Sequence, residues 1–217
     1  MKSTSAKATN MTSKFFLPFI AATIVYSGVV SAEVCKSKPA ASSSKSTVTQ
    51  QKSTVPQVVQ PQWKVFTPPD KGFQILMPGR PKTKTQMQKT YMGEIELQIF
   101  VAQPPEQEVA YLVTYNEFPY SYAQMTKPQT ILSQAQSNTL KATQSNLISE
   151  RSIRSWNGHP GKEIQYIDSA GKVTTNRIFV AEGRLYQVMG IVSKKQRSNL
   201  SRTITGYLNS FQLVVRR

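Results

Sequence analysis

"EIELQIFV", Glu94 to Val101, alternates polar and apolar side chains from Glu94 through Ile99. Ile95, Leu97, Ile99 and Val101 point one way; Glu94, Glu96 and Gln98 point the other. Successive strand side chains face opposite sides, so the stretch reads as a strand with one buried and one wet face. Thr83 to Met92 is its expected partner, with a tight turn at Met92-Gly93. Val109 to Tyr115 repeats the alternation through Val109, Tyr111, Val113 and Tyr115. Upstream, "GFQILMPGRP" holds a short apolar strand, Phe73 to Met77, stopped by Pro78-Gly79.

The period changes at Pro128, which suits the first turn of a helix. From Pro128 to Gln144, Ile131, Ala135, Thr139 and Ala142 share one face, with Leu132 beside them and Leu140 expected to point elsewhere. Four further strands are expected at Leu147 to Trp156, Lys162 to Asp168, Thr174 to Ala181 and Arg184 to Val192. Turn-forming residues separate them at Asn157 to Gly161, Ser169-Ala170-Gly171 and Glu182-Gly183. "LYQVMGIV", Leu185 to Val192, is apolar on both faces in places, as in a strand covered on both sides. Leu200, Ile204, Tyr207 and Leu208 then form a helical stripe, and "SFQLVV" closes as a last strand. The fold class is α+β: an antiparallel sheet with helices packed on it.

His159 is the single histidine of the chain. It lies between Gly158 and Pro160, inside a turn joining two strands, and no nucleophile elbow occurs anywhere in the sequence. A catalytic histidine needs an orienting acid and a nucleophile in reach. The residue is therefore read as part of a turn.

The N-terminus predicts export. Lys2, Lys7 and Lys14 precede an apolar run from Phe15 to Val30, and Val30-Ser31-Ala32 offers small residues to a signal peptidase. Residues 1–32 are the expected signal peptide, cleaved between Ala32 and Glu33. A retained membrane anchor is the competing reading, weakened by Pro18 and Gly28. Cys35 follows Glu33 and Val34 rather than small residues, which argues against lipidation. It is the sole cysteine, so it forms no internal disulfide. Residues 33–62 are rich in Ser, Thr, Gln, Lys and Pro and read as a tether with too little apolar surface to fold. Residues 63–217 make a single α+β domain. The expected destination is exported, to the periplasm or extracellular space.

The formal net charge is +16. The leader holds three lysines, and the tether holds four lysines against one glutamate, so the domain keeps +10. Such a bias favours an anionic protein face, wall polymer or membrane surface. Nucleic acid is disfavoured by the export signal and by the lack of a recognised motif. The candidate partner-binding residues are Lys194, Lys195, Arg197 and Arg202 at the last helix, and Lys82, Lys84 and Lys89 along one strand. Strand lysines also guard an edge against aggregation. Glu94 and Glu96 share a strand face and could hold a hard cation, but a solvated face accounts for them. No phosphate-binding glycine loop is present, and His, Cys and acids are too sparse for an evident catalytic or metal constellation. No cofactor, catalytic residue or specific small molecule is inferred. The expected function is a non-catalytic accessory or binding protein associated with an envelope complex or an anionic membrane. A cell-envelope enzyme is the alternative.

Four stretches carry a family resemblance: "GFQILMPGRP", "NGHPGKEIQY", "GRLYQVMGIV" and, after the last helix stripe, "LNSFQLV". Together they resemble exported proteins of photosynthetic bacteria. The strand order and final helix are similar to the PsbP-like fold, that of an extrinsic lumenal subunit associated with photosystem II. The resemblance implies a fold and an accessory role, with the thylakoid lumen as a further destination and a thylakoid complex as a further partner. It transfers no metal or partner site residue by residue.

Overall fold

The computed structural model describes residues 61–90, 93–105 and 107–214. The expected leader, its cleavage site at Ala32 and Glu33, Cys35, residues 33–60 of the tether and Met92 of the expected turn lie outside these residues.

Among the described residues, ten strands and three helices follow in the order β1 (Trp63–Phe66), β2 (Phe73–Pro78), β3 (Lys82–Thr90), β4 (Gly93–Ala102), β5 (Val109–Glu117), α1 (Tyr120–Met125), α2 (Pro128–Ala142), β6 (Asn146–Arg154), β7 (Pro160–Ile167), β8 (Lys172–Ala181), β9 (Arg184–Ser193), α3 (Arg197–Asn209) and β10 (Gln212–Leu213). The main sheet has seven antiparallel strands in the order β3-β4-β5-β9-β8-β7-β6. Both halves of the chain thus meet at its centre, where Val113 pairs with Val188 and Tyr115 with Tyr186.

The strand expected at Phe73 to Met77 forms, but it leaves the main sheet. It pairs instead with β1 and β10 in a three-stranded sheet. Proline and Gly79, whose φ is +89°, turn the chain away after it. Two elements escape the sequence reading. β1 is four residues long, and α1, "YSYAQM", has no buried residue and so no apolar stripe to reveal it. Leu140, expected to point away, is half-buried and packs with the α2 core group.

The first core lies between the main sheet, the small sheet and α3. Phe73, Ile75 and Met77 of β2 meet Phe100, Tyr111 and Val188 of the main sheet and Tyr207 of α3, all at most 1 % exposed. Rings at Phe100, Tyr115, Tyr186 and Phe211 stand 5.5 to 6.3 Å from Phe73. Tyr207 places its ring 4.9 Å from Tyr111, edge to face, and its buried hydroxyl donates to the Leu112 carbonyl at 2.7 Å. The second core lies on the opposite side of the sheet. There α2 sets Ile131, Leu132 and Ala135 against Ile164, Tyr166, Ile178 and Leu185.

Two glycines of the sheet are spaces for neighbours. A Cβ on Gly161 would lie 2.5 Å from the Phe179 ring, its cross-strand partner. A Cβ on Gly190 would lie 2.7 Å from Cγ2 of Ile204, the residue that seats α3 on β9. Gly190→Ala is therefore expected to cost about 1–3 kcal/mol through overpacking. Combined with Ile204→Ala, it should cost less than the two single changes summed, because the second change empties the space that the first one fills. Denaturant midpoints of the four proteins in this cycle check it.

Candidate functional site

The seven cations singled out in the sequence fall into four places. Lys194 and Lys195 occupy the turn between β9 and α3, both exposed, and Arg197 opens α3. The Lys194 backbone N–H donates to the Gly171 carbonyl at 3.1 Å, which fixes this turn against the one joining β7 and β8. Arg197 lies in line with the buried stripe of the helix, seven residues before Ile204. Its guanidinium reaches the sheet and donates from Nη2 to Gln165 Oε1 at 2.9 Å. The N-cap position belongs to Gln196, which spends its side chain on the Glu108 backbone N–H at 3.2 Å rather than on the helix. No acid occupies the first turn of α3, so nothing there offsets the positive end of the helix dipole. Three cations and an uncompensated helix start thus share one end of the domain. Arg202 is exposed but sits about 200° around the helix from Ile204, on the outer face.

The strand lysines divide between two faces. All three lie on β3, an edge of the main sheet. Lys82 and Lys84 stand opposite Val101 and Ile99 and share their side of the sheet. Lys89 pairs with Glu94 on the other side, at 3.9 Å between highly exposed groups, a contact of little energetic weight. The three therefore do not form one patch. Glu96 accepts from its strand neighbour Gln98, and both Glu94 and Glu96 are exposed, as a solvated strand face requires.

His159 lies in the β6–β7 turn. Its backbone N–H donates to Ser155 Oγ at 3.0 Å, and its carbonyl accepts from the Ser155 N–H at 2.9 Å. Gly158, with φ at +85°, makes the bend. The turn is tied down further by Arg154, which donates to the Gly158 carbonyl. A cleft of about 360 Å³ opens nearby, between α2 and β6–β7, and His159 does not line it. Its two cations are engaged: Lys162 donates to Gln136 at 2.7 Å and Arg154 to the Gly158 carbonyl at 3.0 Å.

Two charge clusters were not legible in the sequence: one joins residues far apart along the chain, and the other depends on the exact register of adjacent strands. Arg184 donates from Nη1 to Asp70 at 2.5 Å and from Nε to Glu117 at 2.6 Å, and lies 5.3 Å from the Tyr115 ring centre. It clips the β1–β2 loop to the centre of the main sheet. Gly72 makes room for this, since a Cβ there would lie 2.9 Å from Arg184 Nη1. The second cluster is a row across β6, β7 and β8, in which Glu163 bridges Arg151 and Arg177 at 2.8 and 2.6 Å. The register places these three directly opposite one another.

The groups whose titration the fold displaces move away from neutrality. Burial pushes the Tyr111 and Tyr166 phenols up to about 12. Burial and then Asp70 raise Tyr115, and burial raises Tyr186 against the opposing pull of Arg184. For Arg184, burial works against the charge, but hydrogen bonds to Tyr186 and Glu117 outweigh it and raise the pKa. These tyrosines stay neutral and the arginine charged at physiological pH, so this cluster is a fastening rather than an acid–base pair. Among the described residues, no group of three or more His, Cys, Asp or Glu is placed to hold a metal ion.

Arg184→Met should lower stability by about 1–3 kcal/mol, reduced from the fully buried case because Asp70 and Arg184 keep some solvent contact. Faster proteolytic cutting between Pro68 and Gly72 should accompany the loss. His159→Ala should shift stability by less than about 1 kcal/mol, as for other surface turns. Thermal unfolding of both variants separates the two expectations.

No protein-family model matches the chain, and no curated protein matches it. Solved structures do. The solution structure of cyanobacterial PsbP (CyanoP) from Synechocystis sp. PCC 6803 superposes with a TM-score of 0.50 at 12 % identity, over 72 % of this chain and 95 % of that one. A Pseudomonas aeruginosa protein of unknown function gives 0.41 at 12 % identity, over 61 % of this chain and 98 % of that one. The chain has a PsbP-like α+β fold.

Proposed function

We propose that the protein is an exported, non-catalytic accessory protein that docks on an anionic partner through the start of α3. The observation that carries this reading is the gathering of Lys194, Lys195 and Arg197 at a helix start with no acid in its first turn. Cations at that end oppose the helix dipole and one another. Neutral residues there would favour folding, so the arrangement is better suited to binding than to stability.

The lysine-flanked leader and the likeness to cyanobacterial PsbP support an exported location. They favour the periplasmic side of an envelope or the thylakoid lumen. An acidic face of a membrane complex or an anionic lipid surface has the required charge. Lys82 and Lys84, on the far edge of the sheet, would steer the approach from a distance rather than form the contact.

Replacing Lys194, Lys195 and Arg197 together with Gln should weaken association with anionic vesicles or with envelope and thylakoid membrane fractions. The difference from the native protein should shrink with added salt, as the screening length falls from about 10 Å at 0.1 M to about 3 Å at 1 M. The association rate should fall more than the dissociation rate rises. Unchanged binding at low salt by the folded variant would overturn the proposal.

A further inference from the structure

The two edges of the main sheet, β3 and β6, are built differently. β3 carries Lys82, Lys84 and Lys89, a common guard against pairing with another chain. β6, "NLISERSIR", has neither lysine nor proline. Its register shifts between Leu147 and Ser149, and from Ser149 to Arg154 it runs evenly beside β7. Among the described residues, no strand pairs with its outer edge. The register fixes which backbone groups face outward. The Ser155 N–H donates to the His159 carbonyl, and this pair continues the β6–β7 register beyond Arg154 and Pro160. Hydrogen-bonded pairs alternate along an antiparallel ladder, so Ser149, Arg151 and Ile153 also bond to β7. Glu150, Ser152 and Arg154 therefore aim their N–H and C=O groups at the open edge. Their side chains share the α2 side of the sheet, where Ser152 and Arg154 line the cleft and Glu150 accepts from Gln136 of α2.

We propose that β6 pairs with the β6 of a second copy of this chain, antiparallel about a twofold axis at Ser152. Charge selects this register. Opposed side chains of an antiparallel pair share one side of the sheet and stand about 5 Å apart. An axis at Glu150 opposes two carboxylates, and an axis at Arg151 opposes two guanidinium groups. An axis at Ser152 sets Glu150 opposite Arg154 of the second copy, and Arg154 opposite its Glu150. The same residues carry the outward backbone groups, so the register that pairs the charges also closes the ladder. Within its own chain Glu150 meets Gln136 and Lys162 through Oε2, which leaves Oε1 for the second copy. Arg154 spends Nη1 on the Gly158 carbonyl and has further N–H groups for a carboxylate. The register also brings Trp156, 88 % exposed, level with Leu147 and Ile148 of the second copy, 41 % and 45 % exposed. Exposed apolar side chains at the two ends of β6 thus meet across the axis. The pairing does not depend on the basic surface at α3, and the two proposals fail separately.

Sedimentation of the full chain at low salt tests it. The native protein should dimerise reversibly. Glu150→Arg and Arg154→Glu should each weaken the dimer about tenfold, because the axis repeats every change. Combined, they should restore it, since opposite charges again face each other. Residues four apart on one strand are separated by about 13 Å, so no contact within a single chain can produce that rescue. A third variant acts on the backbone. Ser152→Pro removes an outward N–H that β7 does not use, as edge strands tolerate, and should give monomers with unchanged near-ultraviolet circular dichroism. A native chain that stays monomeric at every concentration, a double exchange that fails to restore the dimer, or a folded Ser152→Pro variant that dimerises like the native chain would each overturn the proposal.

Discussion

Phe73 is where the two sheets and the last helix meet, and the rest of the packing depends on it. Its ring is fully buried among Phe100, Tyr115, Tyr186 and Phe211, which come from β4, β5, β9 and the segment after α3. Aromatic rings prefer edge-to-face and offset contacts, so such a cluster fixes orientation as well as burying area. β2 can present Phe73, Ile75 and Met77 to this cluster only by leaving the main sheet. Its hydrogen bonds must then be met elsewhere. β1 supplies one edge, β10 supplies the other, and Ser210 Oγ accepts from the Leu76 N–H at 3.0 Å between them.

The same arrangement explains where charge collects. Apolar surface claims the middle of both sheet faces, so ionic groups are left to strand ends, helix ends and edges. Where they must come inward they are paired across strands, as in the Arg151–Glu163–Arg177 row, or used as a clip, as in Arg184 with Asp70 and Glu117. Among the described residues, Lys194 and Lys195 have no such structural employment. A domain carrying twice as many basic as acidic residues thus keeps these two cations on the outside.

The alternation of "EIELQIFV" and the stripe of α3 made the α+β class readable, because strand and helix periods each leave one apolar side. The resemblance stretches mark points of close packing. In "NGHPGKEIQY", Gly161 lies under the Phe179 ring; in "GRLYQVMGIV", Gly190 receives Ile204; in "LNSFQLV", Ser210 ties α3 to β2 and Phe211 stacks on Phe179. What could not be read was pairing over distance. Nothing near Phe73 announces that β2 belongs to a second sheet, since its partner β10 comes more than a hundred residues later. The Arg184 cluster was hidden for the same reason, and the Glu163 row because it depends on the exact register of neighbouring strands. Lys89 could have been separated from Lys82 and Lys84 by counting, because odd and even positions of one strand face opposite ways.

The pairing of β5 with β9 also sets the order in which the protein can fold. The hairpin of β3 and β4 and the meander of β6, β7 and β8 are local, and each can form as soon as its own residues are available. The central seam must instead close a loop on the order of 70 residues, and closing long loops costs entropy before any contact rewards it. The small sheet waits longer still, since β2 lacks one of its neighbours until β10 has been made. A nascent chain therefore holds hairpins without a closed core until nearly all of it has been synthesised. Such a chain remains threadable until late in its synthesis, a delay set by the topology of its own sheet.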